Sequence, residues 1–138
     1  MGERIIVHSL DQARAALAAA ASLERKVVLA SAPDAGAYAG AAWFKSLVEQ
    51  AKSAYPGADA EAALDCGDAA GAALAALRMG FKRVGFSGTA QARAALEDLA
   101  RALGAAIETG GNDAALDLRD KKNAEASCRA YLAGETLA

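Results

Sequence analysis

Asp65-Cys66-Gly67-Asp68 sets two carboxylates and a thiol within four residues, directly after the apolar run Ala62-Ala63-Leu64 and before an alanine-rich stretch that starts near Ala69. A strand handing over to a helix accounts for that pattern, and open α/β sheets bind ligands at the C-terminal ends of their strands. A helix N-terminus just beyond Cys66 favours its thiolate. The chain's one histidine, His8, follows the β-branched run Ile5-Ile6-Val7. The two make a candidate Cys-His pair for nucleophilic catalysis, with Asp65 or Asp68 as the orienting acid. The same residues also have a structural reading: cysteine is among the most buried residue types, and Asp68 is a good N-cap for the helix at Ala69.

Ser87-Gly88-Thr89 offers a glycine for close backbone approach, two hydroxyls and the amides of a helix N-terminus, the ingredients of a phosphate or carboxylate site. Capping of the next helix by Thr89 explains the same residues. Ser31 to Gly36 is a small, flexible rim, either a lid or a connecting loop. Thr109 ends a later apolar run. If these strand ends share one edge, a small anionic ligand would lie across His8, Ser31, Asp65, Cys66, Ser87 and Thr109.

The elements that must position these residues follow from patterning. Ile5 to His8 is the first strand, and Ser9 and Gln12 have capping-box spacing for a helix from Leu10 to about Glu24. Val27 to Ala30 is the second strand. A helix from about Tyr38 to Ala54 is stopped by Tyr55-Pro56-Gly57. Its Lys45, Glu49 and Lys52 form a polar stripe opposite a broad apolar arc with Trp43 at the margin. Ala62 to Asp65 is the third strand, with a helix from Ala69 to Met79 and Gly80 as its left-handed terminus. Arg83 to Phe86 is the fourth strand, followed by a helix that Thr89 caps and that reaches Leu103, and then Gly104. Ala105 to Glu108 is the fifth strand, before Thr109-Gly110-Gly111-Asn112. Ala115 to Leu118 is ambiguous, with a short edge strand as one reading, and Asn123 caps a last helix to about Leu132.

Composition bounds the function. The chain has 138 residues, one ordinary domain over residues 1–138, and roughly three in ten are alanine, which favours helix and close packing. A net charge of −2 with scattered Lys and Arg gives no basic field for nucleic acid. No apolar run could span a bilayer, and Met1 to Ile5 begins no secretory apolar region, so a cytoplasmic protein with no membrane association is expected. Cys66 and Cys128 lack metal-type spacing, so no metal and no cofactor are expected, and both thiols should be reduced.

Five strand-then-helix units predict a single-domain three-layer α/β/α sandwich, flavodoxin-like, with a five-stranded, mainly parallel sheet in the order 2-1-3-4-5. That order sets His8 beside Asp65 and Cys66 at the topological switch. Response-regulator receiver domains share the architecture, and Asp65 and Ser87 match their strand-end aspartate and hydroxyl. They also need an acidic pair where this chain has His8-Ser9, and a lysine where it has Thr109-Gly110, so phosphotransfer is not expected. Ser9 to Leu17, Leu29-Ala30-Ser31-Ala32-Pro33 and Leu64 to Gly71 resemble a group of small bacterial α/β proteins to which no function is assigned. That resemblance implies one α/β domain and no catalytic residue.

Two functions follow. One is a binding or enzymatic module for a small anionic metabolite, phosphorylated compounds included, at His8, Ser31, Asp65, Cys66, Asp68, Ser87, Gly88, Thr89 and Thr109. The other is a non-catalytic protein that forms a homodimer through Trp43 and Leu47. Trp43 could equally cover a neighbouring element of its own chain.

Overall fold

The computed structural model describes residues 3–109 and 114–134. The chain runs β1 (Glu3–Ile6), α1 (Leu10–Leu23), β2 (Val27–Ala30), α2 (Ala35–Tyr38), α3 (Ala41–Ala54), β3 (Ala60–Asp65), α4 (Ala70–Arg78), β4 (Arg83–Gly85), α5 (Ala90–Leu103), β5 (Ala106–Glu108), β6 (Leu116–Asp117) and α6 (Ala124–Leu132). Gly110, Gly111 and Asn112 lie outside the described residues.

Side-chain caps start three of the helices. Ser9 Oγ accepts from Gln12 N, Thr89 Oγ1 from Ala92 N and Asn123 Oδ1 from Ala126 N, at 3.0–3.1 Å. The helix expected from Tyr38 is split, because Gly40 at φ 91° interrupts it between α2 and α3. Asp68 is not a cap: α4 begins one residue later than expected, with Ala69 at its N-cap position and no side chain bonding its first amides.

Among the described residues the sheet has six parallel strands in the order β5-β4-β3-β2-β1-β6, not five in the order 2-1-3-4-5. β2 therefore stands between β1 and β3. From β1 to β5 every crossover steps to the next position in the same direction. Right-handed crossovers that all step one way lay their helices on one face of the sheet, whereas a doubly wound sheet reverses direction.

Burial agrees with this. Ile5, Val7, Val27, Leu29, Leu64 and Val84 join the main core with residues of α1 and α3 to α6, while the alternate residues Ile6, Val28, Ala30 and Ala63 form a separate cluster that includes no helix residue. Among the described residues, Ala115 packs against this second cluster. The helices thus make one layer, and the three-layer sandwich is corrected to two.

The helix-free face carries charge as well. Arg4 Nη2 of β1 lies 2.5 Å from Glu108 Oε1 of β5, although three strands separate them. At the usual strand spacing a flat sheet would hold those strands about 19 Å apart, beyond the reach of the two side chains, so the sheet curls toward this face. Arg83 bonds Glu108 at 3.0 Å and Glu61 at 2.8 Å, and Lys26 stands 3.6 Å from Glu61. One chain of alternating charges crosses the concave surface. Among the described residues no helix is long and apolar enough to cross a membrane.

Candidate functional site

Parallel strands bring their C-terminal ends to one edge. On β1 and β6, Ile6 and Asp117 are register partners, and His8 follows two residues past the end of β1. His8 Nε2 lies 2.6 Å from Asp117 Oδ1, joining residues 109 apart in sequence. Gln12 fixes both ends of the pair: its Oε1 accepts from His8 N at 2.7 Å and its Nε2 donates to Leu118 O at 3.1 Å. Burial alone would push the Asp117 carboxyl pKa up, but the Arg119 amide at 2.9 Å and His8 more than offset that and hold it below the ordinary carboxylate value. Asp117 is therefore an ionised acceptor that orients the ring, and Nδ1 has no partner among the described residues.

His8 does not meet Cys66, because β2 intervenes. Cys66 is buried, its thiol pushed up to about 12 by burial first and by the Asp65 charge second. Among the described residues no base hydrogen-bonds its thiol, and it is closed to solvent. Gly36 presses on it so closely that a Cβ there would stand 2.5 Å from Sγ. Cys128 is likewise free and buried.

Asp65 serves the backbone. Its Oδ1 accepts from Gly67 N at 2.8 Å and Asp34 N at 3.1 Å. Ser31, also buried, accepts from Asp65 N at 2.9 Å and donates to Ala32 O. Gly67, at φ 58°, leaves space that the Asp34 carboxylate occupies. This part of the edge also carries the exposed Asp68, and so concentrates negative charge.

Further along, Ser87, Gly88 and Thr89 are exposed. Thr89 caps α5 as described, Gly88 lies against the Phe86 ring, and Ser87 N donates to Gly67 O at 2.8 Å. Thr109 Oγ1 accepts from Arg93 Nη1, which also donates to Phe86 O at 3.1 Å. This guanidinium ties the β4 end to the β5 end.

A concavity opens beside His8. α1 and α3 pack side by side with both N-termini at this edge, and between them lies a groove of about 310 Å³ lined by His8, Ser9 and Leu10 on one wall and Trp43, Leu47 and Gln50 on the other. Leu47 is buried, while Trp43 is 40% exposed and meets the Phe44 ring at 5.8 Å. The structure thus groups His8 with Trp43 and Leu47, separately from the Ser31, Asp65 and Cys66 cluster and from the Ser87 to Thr109 end. Asp117 and Arg93 were not singled out from sequence. The charged residue inside the Ala115 to Leu118 run was the available signal for Asp117. No protein-family model matches the chain, and no curated protein matches it either.

Proposed function

We propose that this protein is a small cytoplasmic binding module that takes a small anionic ligand, phosphorylated metabolites foremost, at the C-terminal edge of its sheet, in the groove between α1 and α3. The His8–Asp117 pair carries the reading. A carboxylate that fixes one imidazole nitrogen leaves the other to donate to, or take a proton from, a bound group, the arrangement used for general acid–base work as well as for binding. The amides at the start of α1 favour negative charge beside it, and Trp43 offers a ring for stacking. The Asp34, Asp65 and Asp68 end of the same edge disfavours an anion, which supports the groove over the full row of strand ends.

The test is a thermal-shift screen with inorganic phosphate, phosphorylated metabolites and nucleotides. A ligand at about 100 times its Kd adds nearly 3 kcal/mol of stability. His8→Ala should abolish the shift of any hit, and a shift that survives it rejects the site. A second reading, a homodimer through Trp43, rests on the exposure of that ring and of Tyr38, which is 70% exposed. Sedimentation showing a monomer at high concentration would remove it.

A further inference from the structure

At the opposite edge of the sheet the helix layer has a gap. α3 runs 14 residues but α4 only nine, so the second half of α3 lacks a helical neighbour on one side, and the small side chains of Ala60 and Ala62 beneath do not fill the space. The result is a cleft of about 350 Å³, floored by Val48, Ala62, Met79 and Phe81 and rimmed by Lys45, Lys52 and Lys82.

Each rim ammonium is anchored on one carbonyl: Lys45 on Met79 O at 2.9 Å, Lys52 on Ala60 O at 3.3 Å and Lys82 on Leu103 O at 2.9 Å. An ammonium has three donors, so each keeps two for another acceptor. Two carboxylates also line the cleft. Glu61 is engaged by Arg83 and Lys26, which leaves Glu49 as the one acid there without an ion pair among the described residues. Three lysines with anchored ammonium groups and one carboxylate without an ion pair among the described residues therefore line a cleft with an apolar floor.

We propose that this cleft binds an amphipathic organic anion, a carboxylate on a compact apolar body. The volume lies at the small end of ligand pockets, about 300–1,000 Å³, and suits a body of medium-chain size. An inorganic anion would leave the floor wet, and a neutral apolar molecule would leave the lysines without a new acceptor, so both halves of the ligand are required. The site lies at the other end of the strands from the His8 groove and stands or falls independently of it.

Titration of the full chain with octanoate, followed by amide NMR shifts, tests this, with 1-octanol and acetate as the apolar and charged halves. Octanoate should saturate, its shifts centred on Val48, Ala62, Phe81 and Lys82, while both controls bind at least about tenfold more weakly. Glu49→Gln should tighten octanoate about threefold, and the double variant Lys45→Met with Lys82→Met should weaken it about tenfold, as expected for exposed charge contacts. Shifts that fail to saturate or centre elsewhere, or octanol binding as tightly as octanoate, overturn the proposal. If the double variant does not fold, Glu49→Gln and the octanol comparison decide alone.

Discussion

At the scale of single residues, the two groups with the most chemical promise have opposite fates. His8 keeps a ring nitrogen available because Asp117 holds the other, and Asp117→Asn should weaken any groove ligand in the same direction as His8→Ala, though less, since the ring remains; thermal shift reads both. Cys66 and Cys128 are shut away, so iodoacetamide at pH 8 should leave both unmodified until the protein unfolds, as mass spectrometry would show. Their thiols lie at about 12 in the fold against an ordinary value of 9.0. The sign follows directly: stability is complete below pH 9 and falls as pH rises toward 12, because unfolded thiols ionise there while buried ones do not. Each pH unit in that window removes at most about 1.4 kcal/mol per thiol. Urea titrations across the range should show the loss, and Cys66→Ala should make it shallower.

At the scale of elements, the caps are where residue identity and local structure agree most directly. Thr89→Ala should cost about 1 kcal/mol in urea unfolding, and Asn123→Ala a similar amount. Most helix and strand positions were legible for the same local reasons: Ser9, Thr89 and Asn123 mark starts, and Gly80 and Gly104 mark ends. The lateral order of strands was not, since the same βα units build a sheet wound one way or two. A signal against the doubly wound reading was nevertheless present. Strands covered on both faces are apolar throughout, whereas Arg4, Glu61, Arg83 and Glu108 alternate with the buried Ile5, Leu64 and Val84 and the partly buried Ile107, the pattern of a sheet with helices on one face. Of the candidate site, His8 and its place at a strand end were legible. Its partner was not, because Asp117 reaches it through a two-residue strand that carries little pattern of its own.

At the scale of the whole molecule, the ion-pair chain on the concave face runs across the paired strands β3, β4 and β5 and, through Arg4 and Glu108, ties β5 to β1, which it does not pair with. Arg83→Met leaves Glu61 and Glu108 partly buried without their bridge and should cost about 1–3 kcal/mol, between the exposed and buried limits. It should also change acid sensitivity. The Arg83 hydrogen bond first, and the charges of Arg83 and Lys26, hold Glu61 below its ordinary value of 4.5 despite the opposing effect of burial. A carboxylate lowered by folding stabilises above that value and loses the contribution as pH falls through its folded pKa. The native protein should therefore lose this contribution as pH falls below 4.5 and the variant should lose less, as denaturant midpoints would record.

The position of β1 has a further consequence, for the order in which the chain can be completed. β1 is an interior strand, and its outer neighbour β6, together with α6 that covers α1, follows the other described strands and helices in the chain and is made after them. Until those two elements emerge, β1 presents an open edge and α1 an uncovered apolar flank, the surfaces on which nascent chains aggregate. A chain lacking Leu116 to Leu132 would keep that surface uncovered, so it should aggregate more on refolding than the chain that carries them, as light scattering would record.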